Sequence, residues 1–76
     1  MNTSLFVGLC EGAGLEVDFG NGVTYVYTGG GVLIATVNES IHLLYRIDTY
    51  EATRDEAIKA SEIVVPYALT PIEERE

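Results

Sequence analysis

The stretch that decides the fold is LEVDFGNGVTYVYT, residues 15–28. Residues 15–19 alternate between apolar and acidic side chains, which predicts a strand with one buried face and one solvated face. Asn and Gly tolerate a positive φ, so Gly20-Asn21-Gly22 predicts a tight hairpin turn. Residues 23–28 are rich in β-branched and aromatic side chains and predict the partner strand. We therefore expect the first half of the chain to be built around a β-hairpin.

More strands are predicted on both sides of this hairpin. Residues 3–9 (TSLFVGL) indicate a short strand that ends at Cys10. Gly29-Gly30-Gly31 ends the second hairpin strand, and the apolar residues 32–37 predict another strand. Residues 41–47 are a further candidate strand, so residues 38–40 form either a turn or part of a sheet edge.

A helix is predicted from Tyr50 to about Ile63. Two capping-box patterns lie at its start, one beginning at Asp48 and one at Thr53, in which side chains satisfy free backbone amides of the first turn. Acidic residues crowd this turn, where the helix dipole favours negative charge. The apolar face of the helix is narrow and its side chains are small, so the helix can lie close to a sheet.

The end of the chain predicts one more strand at residues 63–65, because Pro66 belongs at a strand end or edge. Residues 70–76 are expected to fray. The sequence as a whole predicts a single α+β domain over residues 1–76, with an antiparallel sheet of four to six strands and one helix packed on it.

Acidity is the strongest compositional signal, since twelve Asp and Glu against four Lys and Arg give a net charge of −8. An acidic surface repels nucleic acid and anionic membranes and attracts basic protein surfaces. No apolar run approaches the ~20 residues that span a bilayer, and the single cysteine, Cys10, cannot close an internal disulfide. We therefore expect a cytoplasmic protein that binds neither nucleic acid nor membranes directly. Solubility alone is the alternative explanation of the charge.

The chain offers no evident set of catalytic side chains. His42 is its only histidine and lies in an apolar run, where a packed residue is a simpler interpretation than a general base. Glu16 and Asp18 share a strand face but lack a third ligand for a cation. Gly29-Gly30-Gly31 lacks the lysine of a phosphate-binding loop. We expect a protein that acts by binding, without catalytic residues, metal or cofactor.

The candidate binding surface lies in the acidic second half. Spacings of three, four and seven residues place Asp48, Glu51 and Asp55 on one face of the predicted helix, with Glu56 beside them. A row of carboxylates on a compact scaffold can imitate the phosphates of DNA and would fit the basic groove of a DNA-binding protein. The alternative is a solvated helix face.

Residues 38–44 (NESIHLL), followed by the acidic helix, resemble the uracil-DNA glycosylase inhibitors of phages and some bacteria. In that family a Glu-Ser-Ile segment at or beside an edge strand inserts into the DNA-binding cleft of the enzyme, and nearby helix acids add to the DNA mimicry. The resemblance implies that Glu39, Ser40 and Ile41 contact the enzyme. By analogy it implies that Glu51, Asp55 and Glu56 are the helix acids.

The mechanism that this resemblance implies is competitive occlusion of the enzyme. Glu39 and Ser40 would satisfy groups that normally hold DNA phosphate, and Ile41 with Leu43 would pack at the cleft. The predicted partner is a basic DNA-binding protein, with uracil-DNA glycosylase in first place. Two alternatives stay open: an inhibitor of another nucleic-acid enzyme, such as a CRISPR effector or a restriction enzyme, and a self-associating structural domain, for example of a phage particle.

Overall fold

The computed structural model describes residues 1–76 as an α+β domain with one four-stranded antiparallel sheet and two helices. The expected fold class is confirmed and four strands fall within the expected number, but the protein has one more helix than predicted. The elements in chain order are α1 (Thr3–Gly12), β1 (Glu16–Gly20), β2 (Val23–Tyr27), β3 (Leu33–Asn38), β4 (Tyr45–Ile47), α2 (Arg54–Leu69) and a 3₁₀ turn (Ile72–Glu74).

The hairpin in residues 15–28 forms as its sequence predicts. Asn21 and Gly22 both adopt a positive φ, at 54° and 74°, and two-residue turns of this kind match the twist of the strands that they join. β1 and β2 pair antiparallel from Gly20 opposite Val23 outward. The sheet then continues as a meander in the order β1-β2-β3-β4.

The two faces of the sheet differ, because successive side chains along a strand point to opposite sides. In β2, Thr24 and Val26 are buried, whereas Tyr25 and Tyr27 are only half-buried. Both helices pack on the Val26 side, since their buried residues belong to one core cluster with Val26. The opposite side is termed the open face, and it presents Glu16, Asp18, Val23, Tyr25, Tyr27, Leu33, Thr36, Asn38 and Arg46.

Residues 3–9, predicted as a strand, form helix α1 instead. The side chain of Asn2 caps this helix and accepts a hydrogen bond of 2.8 Å from the backbone of the first turn. Phe6 and Cys10 lie one helical turn apart, and both are fully buried. Phe6 stacks on Tyr67 of α2 with the ring centroids 4.0 Å apart. This contact with a distant residue favours the helix over the strand that the local composition indicates.

Helix α2 starts and ends later than predicted, at Arg54 and Leu69. Its N-cap is Thr53, whose hydroxyl accepts a hydrogen bond from the Glu56 amide while the Glu56 carboxylate accepts one from the Thr53 amide. The second predicted capping box therefore forms. The first, beginning at Asp48, does not start a helix, because the residues between it and Thr53 form a turn.

Residues 63–65, predicted as a strand, lie inside α2. Ala60, Val64 and Ala68 are fully buried, and their spacing of four residues is the period of a helix that buries one stripe. Proline usually ends a helix because it lacks an N–H and crowds the preceding turn. Since Ala68 lies beyond Pro66 and packs into the core, core packing carries α2 past this residue.

Two further segments differ from their predictions. The strand predicted at residues 41–47 is reduced to Tyr45–Ile47, and residues 41–44 belong to a loop. Residues 70–76, predicted to fray, contain the 3₁₀ turn and the buried Arg75. Neither helix combines the length and the apolar character that crossing a membrane requires.

Candidate protein-binding site

The loop between β3 and β4, residues 39–44, is termed the apolar loop. Its side chains include Ile41, Leu43 and Leu44, which are 58%, 56% and 51% exposed. Ten large hydrophobic residues are exposed in the whole protein, and three of them lie within the four positions 41–44. The apolar loop is therefore the densest run of exposed hydrocarbon along the chain, and such patches often mark interaction sites.

The backbone of the apolar loop is held by hydrogen bonds at its base. The Asn38 Oδ1 atom accepts hydrogen bonds from the N–H groups of Ser40 and Ile41 at 2.8 and 2.7 Å. The Asn38 N–H donates to the carbonyl of Leu44 at 2.9 Å. An asparagine that closes a turn in this way restricts the backbone of the residues that follow it. The exposed side chains are thus presented on an ordered loop.

Leu43 has the most unusual backbone of the loop, with a φ of 70°. A side chain with a Cβ atom in this left-handed region costs roughly 1–2 kcal/mol. The neighbouring His42 ties the loop to α2, because its Nε2 atom donates to the carbonyl of Leu69 at 2.9 Å. Since the Leu43 side chain is exposed, core packing does not explain a strained leucine here, and such outliers often serve a function. Leu43 is therefore the strongest candidate for contact with a partner.

Glu39 begins the apolar loop, but its carboxylate points into the molecule. Its Oε2 atom accepts a hydrogen bond from the Thr24 hydroxyl, and the Tyr67 hydroxyl lies 3.0 and 2.9 Å from the two carboxylate oxygens. The Arg75 Nη1 atom lies 3.2 Å from Oε1, and the Glu39 side chain is only 25% exposed. Both carboxylate oxygens thus have partners within the chain.

Arg75 lies at the centre of these contacts and is only 2% exposed. Its guanidinium donates to the carbonyls of Asn38, Ala68 and Thr70 at 3.0, 3.1 and 3.0 Å, and it lies 4.8 Å from the ring centroid of Tyr67. A buried charge is tolerated only when it is paired and fully hydrogen-bonded. Arg75 therefore joins the chain end, the end of α2 and the start of the apolar loop. The polar cluster, as we term it, consists of Thr3, Thr24, Glu39, Tyr67 and Arg75.

The phenol of Tyr67 connects both sides of the polar cluster. The Thr3 Oγ1 atom lies 3.0 Å from the Tyr67 hydroxyl, and Thr3 is the donor because the single phenol proton is directed to Glu39. Burial raises the pKa of Tyr67, and the Glu39 hydrogen bond and charge raise it further, while Thr3 and Arg75 lower it. The phenol therefore stays protonated at neutral pH and can donate to the carboxylate.

The four acidic residues of the predicted binding surface are divided between two segments. Asp48 and Glu51 precede α2 and are exposed, and the Asp48 carboxylate accepts a 3.1 Å hydrogen bond from a backbone amide of its own turn. Asp55 lies in the first turn of α2 and pairs with Lys59 at 3.1 Å. Glu56 closes the capping box. The predicted shared helical face of Asp48, Glu51 and Asp55 is therefore wrong, because the helix begins after the first two of these residues.

Ion pairing inside the chain leaves the net charge of −8 unbalanced. The two ion pairs of the structure use Asp55 with Lys59 and Glu39 with Arg75. Ten carboxylates remain without an ion pair, against the guanidinium groups of Arg46 and Arg54. No group of three or more His, Cys, Asp or Glu side chains is arranged to hold a metal ion.

The structure brings together residues that sequence reasoning did not connect. Thr24 lies between apolar residues on the buried side of β2, and a polar residue at such a position signals a buried polar partner. Tyr67 and Arg75 gave no signal of their own, because only the fold brings them to Glu39. No protein-family model, no curated protein and no solved structure matches this chain.

Proposed function

We propose that this domain is a protein inhibitor that binds the basic, nucleic-acid-binding cleft of a DNA-acting enzyme and excludes DNA from it. The observation that carries the proposal is an ordered loop that exposes a strained leucine, on a domain with ten carboxylates outside any ion pair. Hydrocarbon on an ordered loop supplies an anchor for a pocket, and the carboxylates supply attraction to a basic surface.

The two parts of this surface act at different distances. The carboxylates steer the domain towards a basic cleft and make association faster and sensitive to salt. Ile41 and Leu43 of the apolar loop then enter the cleft, where full burial of such a side chain contributes about 1.5–3 kcal/mol. The exposed Ser40 lies next to them and can donate a hydrogen bond to the partner.

Glu39 is assigned a supporting role in this mechanism. The resemblance to the glycosylase inhibitors implies that Glu39 contacts the enzyme, but three side chains of the polar cluster already engage its carboxylate. We therefore place the contact with the enzyme on Ile41 and Leu43. Asp48, Glu51 and Glu56 belong to the acidic surface that steers the approach, and Asp55 contributes less because Lys59 neutralises it.

Uracil-DNA glycosylase is the first target to test, because residues 38–44 resemble the contact segment of its inhibitors. CRISPR effectors and restriction enzymes are the other targets of the same class, since they also hold DNA in basic clefts. A phage-encoded inhibitor of this kind would act in the cytoplasm of a bacterial host. It would need no metal, cofactor or catalytic residue of its own.

The test is uracil excision by a bacterial uracil-DNA glycosylase with increasing amounts of this protein. We expect inhibition at a one-to-one ratio that weakens as salt is raised, because screening reduces the steering. Leu43→Ser should relieve inhibition, whereas Leu5→Ser, a similarly exposed leucine on α1, should not. No inhibition at large excess would remove this enzyme as the target, and the same titration against a restriction enzyme and a CRISPR effector would then test the class.

A further inference from the structure

Three shallow depressions lie in a row along β3 and β4 on the open face. The first has a volume of about 230 Å³, the second about 200 Å³ and the third about 130 Å³. Thr36 and Arg46 line both the first and the second, and Leu33 and Asp48 line both the second and the third. Because neighbouring depressions share lining residues, they adjoin one another along β3 and β4, and we term the three together the edge groove.

The chemistry of the edge groove changes along its length. The first depression is lined by the hydrocarbon side chains of Val23 and Leu44. Arg46, which has no ion pair, stands at the middle. The far end is lined by the acidic residues Asp48 and Glu51 together with three hydrophobic residues. A matching occupant needs a hydrocarbon group at one end and a positive charge at the other.

The groove runs beside an unpaired sheet edge. β4 pairs with β3 through Tyr45, Arg46 and Ile47 only, and it is the last strand in the sheet order. Its outer backbone N–H and C=O groups are free to pair with a further extended chain. Extended peptides bind in this way to sheet edges, where pockets for alternate side chains select the sequence.

We propose that the edge groove binds an extended segment of a partner protein that carries an aliphatic side chain and, four residues along, a lysine or arginine. Leu44 and Asp48 are four positions apart, which is ~13 Å along a strand. Side chains at positions one, three and five of an extended segment share one face, so the aliphatic and basic groups reach the two ends of the groove together. The middle position meets Arg46 and should be a hydrogen-bond acceptor.

A second copy of this chain fits the open face less well than a basic peptide. Each copy carries a net charge of −8, so two copies repel one another. Strand spacing and rise give the open face an area of roughly 300 Å², whereas stable interfaces bury ~800 Å² on each partner. The edge groove shares Leu44 with the apolar loop, and Asp48 and Glu51 with the acidic surface of the proposed function, but peptide binding does not depend on that function.

The test uses nuclear magnetic resonance of the ¹⁵N-labelled full chain with two synthetic peptides, TTLTSTKTT and its reverse. The two peptides cover both directions in which a segment can pair with β4. One of them should shift the amide signals of Leu44, Arg46 and Asp48, and the same peptide with Glu in place of Lys should not. Asp48→Asn should weaken binding up to about fivefold, the scale of an exposed ion pair, whereas the control Glu62→Gln on α2 should leave it unchanged.

Three outcomes would overturn the inference: no shifts at millimolar peptide, equal shifts with the Glu peptide, or shifts confined to other residues. Shifts of the same amides on raising protein concentration without peptide would also overturn it, in favour of a second copy as the occupant. Peptide binding without inhibition of any DNA-acting enzyme would reject the proposed function alone. Inhibition without peptide binding would reject the edge groove alone.

Discussion

The polar cluster and the apolar loop meet at Glu39, and between them they reverse the usual placement of side chains. The cluster holds an arginine and a glutamate against the protein interior, while the loop places Ile41, Leu43 and Leu44 in solvent. Charged side chains are normally exposed and branched hydrocarbons normally buried. The contrast teaches that Arg75 and Glu39 hold the start of the loop from the inside, while the hydrocarbon of the loop stays at the surface.

The polar cluster contributes more to the position of the apolar loop than to the net stability of the fold. A buried ion pair adds little net stability, because desolvation offsets much of the attraction. The Arg75 guanidinium nevertheless contacts the carbonyl of Asn38 and the carboxylate of Glu39, the two residues from which the apolar loop starts. Its planar fork of donors therefore fixes where the loop leaves the sheet.

Breaking the polar cluster at Arg75 should have the largest effect. Arg75→Ala leaves the Glu39 carboxylate without its cation, and removal of one partner of a buried pair costs about 3–5 kcal/mol. A chain of this size has a total stability of roughly 4–11 kcal/mol, so much of it would be lost. Urea unfolding followed by circular dichroism measures the change.

The control for this variant is Glu74→Ala, an exposed neighbour, which should change the free energy of unfolding by less than about 0.5 kcal/mol. Arg75→Lys keeps the charge but loses the fork, so it should fall between the two. A loss below about 1 kcal/mol for Arg75→Ala would be too small for the paired buried charge that we describe.

Elements that depend on nearby residues could be predicted from the sequence, whereas elements that depend on distant contacts could not. The Asn21-Gly22 turn and the Thr53 capping box depend on residues within a few positions of each other, and both are predicted correctly. Helix α1 depends on the stacking of Phe6 on Tyr67 at the other end of the chain. Local composition with Gly and β-branched residues could not supply that contact, and so it predicted a strand.

In the candidate site, too, the exposed loop residues could be predicted from the sequence and the distant contacts of Glu39 could not. The resemblance to the glycosylase inhibitors predicts that Ile41 and Leu43 contact a partner, and the structure leaves both side chains exposed. The internal partners of Glu39 were beyond sequence reasoning, since Arg75 is 37 positions from the carbonyl of Asn38 that it contacts. Nothing in the local sequence indicates that Arg75 turns inward.

Raising the pH tests the buried side of the comparison without a mutation. Burial raises the pKa of Cys10 from 9.0 to about 11 and also raises the pKa of Tyr67 above its ordinary value of 10.0. A group with a raised pKa stabilises the fold fully below its unfolded pKa and loses that contribution as the pH rises through the folded one. Stability should therefore be constant to about pH 9 and then fall, by up to about 3 kcal/mol from Cys10 alone.

Urea midpoints at pH 8, 9.5 and 10.5 would measure this loss. Cys10→Ala should remove the part that begins near pH 9, and Tyr67→Phe should remove the part that begins near pH 10. An unchanged alkaline loss in the double variant would show that neither buried group is its source. Ile41→Ser, on the exposed side of the comparison, should leave the pH dependence as it is.

The smallest expected effect is at Leu43, where one substitution should raise the free energy of unfolding and weaken inhibition. Leu43→Gly removes a strained left-handed leucine and should raise the free energy of unfolding, by up to about 1 kcal/mol after the entropy of glycine in the unfolded chain is subtracted. Leu44→Gly is the matched control, since Leu44 has an ordinary φ, and it should lower stability by about 0.5–1 kcal/mol. Equal changes in both variants would mean that the backbone at Leu43 stores no strain. A gain in stability together with weaker inhibition would mean that the protein keeps a less stable residue for the contact that its side chain makes, which is the usual relation between stability and function at a binding site.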